Sequence, residues 1–279
     1  MATKNKPRLE FLIIDPQISF CHPKEGELYV PGAEKDMERL AKLLDKLLYD
    51  IDDIHVTLDT HHELDVAHPI FWLNAKGEHP APFTLISKED VSKGVWRPFN
   101  PKLPCPPYGT LVDRMIHYVT KLEEGSRYQL TIWPPHCRIG TPGHNVVEPL
   151  REALRKWELN RYAMIDYVTK GSNVFTEHYS GVQADVPDPE DPTTHLNTRL
   201  IQTLEQADLI VFTGEASSHC VANTIRDIAK NFGEDTVKKC LLLEDAMSPV
   251  PGFEHFANEF FKEMRTKGMK ITKTTDFSI

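Results

Sequence analysis

The sequence predicts an α/β fold, a three-layer αβα sandwich built on a mostly parallel central sheet. Three observations lead there. Short apolar runs alternate with amphipathic helical stretches along most of the 279 residues. The runs are dense in apolar residues rather than alternating, as strands covered on both faces are. Several of them end in a titratable or reactive side chain, the pattern of strands that feed a site at their carboxyl ends.

Taken in order, Leu9–Ile14 reads as the first strand and ends in Asp15. Ala33–Leu48 follows as a helix whose apolar face is Leu40, Leu43, Leu44, Leu47 and Leu48. Ile54–Leu58 is a second strand, ending in Asp59. Val146–Trp157 reads as a helix, Tyr162–Val168 as a strand running towards Lys170, and Leu196–Ala207 as a further helix. Asp208–Thr213 is a buried strand, followed by small and polar turn residues at Gly214–Ser218 and a helix to Asn231. Cys240–Leu243, Phe253–Thr266 and Met269–Thr272 close the series as strand, helix and strand.

Pro69–Gly125 breaks the rhythm. It is rich in Pro, Gly, Lys and aromatics, with one helical stretch at Leu111–Leu122, and Arg127–Trp133 after it reads as another strand. With too few apolar residues for a core of its own, it is expected to be an insertion over one end of the sheet, within a single domain spanning 1–279. Asp185–Thr194 reads as an acidic, proline-rich surface loop.

Composition narrows the function. The chain carries 41 acidic against 32 basic residues, a net charge of −9, which argues against nucleic acid or an anionic membrane as the main partner. No apolar run is long enough to span a bilayer, and the start, MATKNKPRLE, lacks the apolar core of a signal peptide. Five cysteines without paired spacing suggest reduced thiols and a cytoplasmic location. These features leave a small-molecule enzyme or an acidic binding protein, and both are compatible with a homo-oligomer.

Three constellations carry chemistry. Cys220 falls in the first turn of a helix just past a strand, where unsatisfied N–H groups and the helix dipole favour a thiolate. It is a candidate nucleophile, the alternative being a small buried hydrophobe. Asp15 and Lys170, at two other strand ends, could exchange its proton and stabilise its charge. Otherwise they are a loop cap and a surface lysine.

The second constellation is Asp59, His61, His68 and His136. Asp59 and His61 are two apart at a strand end and so point the same way. His68 follows in the same loop, and His136 comes from a separate strand end. His62 competes with His68, but neighbours on an extended stretch diverge, which favours His68. One carboxylate with three imidazoles suits a divalent metal such as zinc, iron or manganese. The alternative is a polar loop with incidental histidines, of which the chain has 13 in all. The third constellation is Phe20 and Trp133, which could sandwich a flat ring or simply be core.

Together IIDPQISFC, LDTHHELDVAHP, WPPHCRIGT, TKGSN with YSG, and GEASSHCV resemble the cysteine-hydrolase (isochorismatase-like) superfamily, in particular its nicotinamidase branch. The match covers most of the chain outside Pro69–Gly125. The resemblance implies the isochorismatase-like fold and a metal-containing amidohydrolase that cleaves a heteroaromatic carboxamide to acid and ammonia through a thioester. It implies Cys220 as nucleophile, Asp15 as proton shuttle and Lys170 as the cation between them. It further implies Ala216 and Cys220 N–H groups as an oxyanion hole, with a cis peptide at Glu215–Ala216. Phe20, Trp133 and Tyr179 are implied as substrate walls, and Asp59, His61, His68 and His136 as metal ligands, with zinc the metal expected first. Ile18-Ser19 departs from the Asn-Asp usual after Asp-x-Gln, and the gaps from His61 to His68 and from Lys170 to Tyr179 are longer than in compact nicotinamidases. Two other readings remain: a cysteine hydrolase of a carbamoyl or ureido substrate, and a catalytically silent binding protein on the same fold.

Overall fold

The computed structural model describes residues 6–125 and 128–278. Its centre is a six-stranded parallel sheet of β1 (Leu9–Ile14), β2 (Asp53–Asp59), β3 (Asp166–Lys170), β4 (Leu209–Gly214), β5 (Cys240–Leu243) and β6 (Lys270–Thr272). The spatial order is β6-β5-β4-β1-β2-β3. The chain works outward from β1 in one direction and then from β4 in the other, so the topological switch point lies between those two strands. Connections leaving adjacent strands there part to opposite sides, which opens a crevice at their carboxyl ends.

β1 reads LEFLII and every residue is buried, including Glu10, which pairs with Arg8 and His55. The helices around the sheet are α1 (Ala33–Lys46), α3 (Leu150–Arg161), α4 (Thr198–Glu205), α5 (Cys220–Asn231) and α6 (Glu254–Thr266), with α2 (Leu111–Glu124) in the insertion. Each buries an apolar stripe; on α1 it is Met37, Leu40, Ala41, Leu43 and Leu44. At roughly 1.5–3 kcal/mol for each fully buried large apolar side chain, such stripes are what hold the helices to the sheet. No helix among the described residues is long and apolar enough to cross a membrane.

Two predicted elements move. The strand expected over Tyr162–Val168 is instead Asp166–Lys170, because Tyr162 adopts a left-handed φ of +51° that ends α3 and the chain needs the next residues to reach the sheet. The shift pairs Lys170 directly with Asp59 on β2. The helix expected from Val146 starts at Leu150, after a cis Glu148–Pro149 bond.

The insertion also differs from expectation. It has a small apolar cluster separate from the main core, centred on Phe71, Trp72, Ile86, Met115, Tyr118, Val119 and Ile132. Its backbone is tied by three two-residue antiparallel pairings, and α2 starts with a Thr110/Asp113 capping box. One of those pairings joins Leu85–Ile86 to Leu130–Thr131, which is all that forms of the strand predicted at Arg127–Trp133. Arg127 itself lies outside the described residues. Pro134 and Pro135, without N–H groups, stop the ladder from continuing.

Candidate active site

The switch point is where the predicted residues meet. Ile14 and Gly214 are paired across β1 and β4, and a Cβ on Gly214 would stand 2.0 Å from the Ile14 carbonyl oxygen, so only glycine fits. Its φ of +118° imposes the same restriction. The chain leaves β1 at Asp15, which takes a left-handed φ of +44°. That conformation is held by its N–H donating to Thr57 Oγ1 (3.0 Å) while Thr57 Oγ1 donates to Asp15 Oδ1 (2.5 Å). The chain leaves β4 through a cis Glu215–Ala216 bond and enters α5 at Cys220, with His219 before its first turn.

Lys170 joins these ends. Its buried ammonium lies 2.9 Å from Asp15 Oδ2 and 3.0 Å from Asp59 Oδ1, donates to the His178 carbonyl (2.9 Å), and lies 3.6 Å from Cys220 Sγ. Asp15, Lys170 and Cys220, from three different strand ends, are therefore one contact group. Burial raises Asp15 above the usual carboxylate range despite Lys170, which fits a group that must take up and return a proton. Burial would lower Lys170, but Asp15 and Asp59 outweigh it and hold the lysine well above its ordinary value.

Cys220 differs from the expectation of a resting thiolate. Burial pushes its thiol up, and the lowering by Lys170 is offset by Asp15 and Asp59. One ammonium shared with two carboxylates has little charge left for the sulfur. The resting site therefore holds a thiol facing the Asp15 carboxylate. Among the described residues, neither the Ala216 N–H, in the turn before α5, nor the Cys220 N–H, at its first residue, donates to a protein acceptor.

Asp59 links this group to the histidines. Its Oδ2 lies 3.0 Å from His61 Nε2 and 3.3 Å from His136 Nε2. One ring nitrogen each of His61, His68 and His136 lies within 4.8 Å of the others, and all three residues are buried. His62 is exposed and stands apart. His68 Nδ1 is buried without a partner, and burial pushes that imidazole down to about 2, which keeps it in the neutral form that metals bind. His61 Nδ1 bonds Asp65 Oδ2 (2.9 Å), the carboxylate–histidine support usual behind a metal ligand. The donor set and the orphaned nitrogen fit a divalent metal.

Gln17 fixes Asp59. Its Oε1 accepts from the Asp59 N–H (2.7 Å), and its Nε2 donates to the Asp59 carbonyl (2.8 Å) and the His144 carbonyl (3.0 Å). Ser19, where the pattern departs from the superfamily, donates to Glu27 Oε2 (2.6 Å) and accepts from the Cys137 N–H (2.9 Å), tying the helix after β1 to the loop that carries His136. Sequence reasoning missed Gln17, Asp65 and Ser19 as supports. Their only signal was a polar residue beside a candidate one.

A small pocket opens onto Cys220, with Asp59, His136, Ala216, Phe20, Trp133 and Tyr179 in its wall. Phe20 stands edge-on to His136, with ring centroids 5.3 Å apart. Trp133 Nε1 donates to Tyr179 Oη (2.9 Å), so each of these two aromatic residues satisfies the other's polar atom and turns its apolar surface to the cavity. Leu28, Val250, His219 and Glu177 also line it and were not anticipated. His219, immediately before Cys220, stacks on Tyr128 and is pushed down to about 3 by burial.

No protein-family model matches the sequence, and no curated protein matches it. Among solved structures the chain is similar to the yeast nicotinamidase Pnc1p bound to the inhibitor nicotinaldehyde, with a TM-score of 0.63 and 18% identity over 95% of this chain and 99% of that one. It is similar to the pyrazinamidase of Pyrococcus horikoshii in complex with zinc, with a TM-score of 0.55 and 19% identity over 96% and 99%. It is also similar to the N-carbamoylsarcosine amidase of Thermoplasma acidophilum, with a TM-score of 0.52 and 15% identity over 98% and 99%. Taken with the parallel six-stranded sheet, these likenesses give this chain the α/β isochorismatase-like fold.

Proposed function

We propose that the protein is a metal-containing cysteine amidohydrolase that converts a heteroaromatic carboxamide to the acid and ammonia. The observation that carries this reading is the contact of Cys220, Lys170 and Asp15 beside a cavity whose other wall reaches the Asp59–His136 side. A silent binding protein has no use for a buried thiol, ammonium and carboxylate in one group, since burying such charges is costly.

The residues divide the reaction as follows. The Cys220 thiol passes its proton to Asp15 as Sγ bonds to the carboxamide carbon. Lys170 holds the charge that accumulates on either group. The N–H groups of Ala216 and Cys220 face the oxyanion. Asp15 then protonates the departing nitrogen, the C–N bond breaks, and ammonia leaves a thioester. Next, Asp15 takes a proton from water, whose oxygen bonds to the acyl carbon. The C–S bond breaks, and Asp15 returns that proton to the departing sulfur, which regenerates the thiol. Asp59, His61, His68 and His136 would hold the divalent metal, zinc by preference, which when bound supplies a Lewis-acid anchor for a ring nitrogen. Phe20 and Trp133 cover the faces of the ring, and Tyr179 steadies Trp133.

The carbamoyl or ureido alternative keeps the thiol but has no need of the histidine triad, so the buried triad favours the heteroaromatic amide. The test is ammonia release from nicotinamide, pyrazinamide and ureido compounds by metal-loaded protein, chelated protein and Cys220→Ala. Release from a pyridine or pyrazine carboxamide is expected, abolished in Cys220→Ala. Chelation should raise KM while Cys220 still reacts with iodoacetamide at a similar rate. Equal release by Cys220→Ala contradicts the mechanism, and release from ureido compounds alone, unaffected by chelation, contradicts the substrate.

A further inference from the structure

Glu215 is a buried acid that the mechanism leaves unused. It directly follows β4 and lies against Asp36 of α1, and both side chains are buried. Two buried carboxyl groups in hydrogen-bond contact keep a proton between them, because like charges side by side disfavour ionising both. The donors around the pair decide which member carries it. Asp36 accepts from Ser248 Oγ (2.5 Å) and pairs with Arg39. Glu215 Oε2 accepts from the Ser248 N–H (3.0 Å), and among the described residues Oε1 has no donor. The proton therefore sits on Glu215 Oε1 and is donated to Asp36. Burial, then Asp36, pushes the Glu215 carboxyl well above its ordinary range.

This pair stands behind the turn that carries Ala216. The Glu215 N–H donates to the Ile14 carbonyl (2.8 Å), and the Ser217 N–H donates to the Ser248 carbonyl (2.9 Å). Ser248 thus holds the residues on both sides of Ala216, one by its side chain and the other by its backbone. The Ala216 carbonyl accepts from the His219 and Val221 N–H groups (3.0 and 3.2 Å). Among the described residues the Ala216 N–H is left unspent, and Ala216 lies in the pocket wall with Cys220. Arg39 closes the frame by donating from Nε to the Asp245 carbonyl (2.5 Å), in the segment that leads to Ser248.

We infer that Glu215 is a positioning residue: with Asp36 and Ser248 it aims the Ala216 N–H at the carboxamide oxygen as that oxygen gains charge. The inference rests on the amidase reading above and adds to it a group that does not touch the substrate. A misplaced donor is felt in the transition state rather than in the ground-state complex, because the charge on the oxygen develops only there. Glutamine at this position keeps both contacts, its amide N–H donating to Asp36 and its carbonyl accepting from Ser248. Leucine keeps neither.

The test uses metal-loaded wild type, Glu215→Gln, Glu215→Leu and Ser248→Ala with three ligands. Nicotinamide reports turnover, nicotinate reports ground-state binding, and pyridine-3-carbaldehyde reports a tetrahedral adduct. In that adduct Cys220 Sγ bonds to the aldehyde carbon, the thiol proton passes to Asp15, and the carbonyl oxygen keeps the electron pair. Loss of the adduct in Cys220→Ala identifies it. Glu215→Leu should lower kcat and aldehyde affinity about 10–100-fold, with the nicotinamide KM and the nicotinate affinity within about threefold. Glu215→Gln should restore both. Ser248→Ala, which takes one donor from Asp36, should show the same contrast at about 3–10-fold, and it decides the matter if Glu215→Leu does not fold. An equal loss for aldehyde and nicotinate makes Glu215 merely structural and overturns the inference. So does a missing contrast in every variant that folds, or a Glu215→Gln that behaves like Glu215→Leu. If wild type hydrolyses no amide but still forms the adduct, the amidase reading fails and the aldehyde–nicotinate contrast alone decides the positioning. If it forms neither, both fall.

Discussion

Lys170→Met removes the one cation that holds Asp15 and Asp59 together while keeping nearly the same volume. In the native site both carboxylates are buried and lie within 3.0 Å of the ammonium. Removing one partner of a buried ion pair costs about 3–5 kcal/mol, because it strands the other charge in a poorly polarisable interior. For a chain of this size that is a fall in Tm of roughly 10 °C. The loss depends on pH with a definite sign. The folded Lys170 value is raised, so its contribution is complete below the ordinary lysine range and constant across neutral and mildly acidic pH. Asp15 is already raised by burial and loses the group that lowers it. In the variant it therefore takes up a proton at a higher pH than in the native protein, and the stranded charge disappears on acidification. Urea unfolding of both proteins at about pH 7.5 and about pH 5 should thus show a stability gap that narrows on acidification. A gap below about 1 kcal/mol, or one of equal size at both pH values, would refute the view that Lys170 acts by compensating charge.

Two other perturbations examine the supports. Gln17→Leu strands the buried N–H and carbonyl of Asp59, at about 1–3 kcal/mol for each unpaired group. It should lower stability and weaken metal binding together, and unchanged metal affinity by competition with a chromophoric chelator would count against Gln17 as the residue that aims Asp59. His55, buried between Glu10 Oε2 (3.3 Å) and Asp166 Oδ2 (2.9 Å), is lowered by burial but raised overall by those two hydrogen bonds. Its contribution is therefore full below the ordinary histidine range and lost as the pH rises through the higher folded value. His55→Gln should cost about 1–3 kcal/mol in mild acid and less in mild alkali, far from the cavity and without a change in KM.

Much of the frame was legible because single side chains announce it. β1, β5 and the start of α5 lie where apolar runs and turn residues put them, and Asp15, Asp59 and Cys220 are read directly as strand ends. β3 was misplaced because its burial alternates rather than running continuously, and its register is set by pairing with β2, a partner distant in sequence. The small core of the insertion was missed for a similar reason. Phe71, Ile86, Met115 and Ile132 are scattered over some sixty residues and become a cluster only after the chain turns back on itself. The helix N-terminus that favours a thiolate is a local feature, whereas the charge around Cys220 is the sum of groups from three strands.

That sum also explains why chemistry was easier to read than selectivity. On the amidase reading proposed above, the reacting groups stand at strand ends beside the switch point, so each is tied to a short, recognisable stretch of sequence. The selecting groups need only reach the cavity from wherever the fold allows. Glu177 lines the cavity from a segment bonded to Tyr118 and flanked by contacts to Arg114, both on α2 within the insertion. A change in that helix can therefore move the cavity wall without touching Cys220, Lys170 or Asp15.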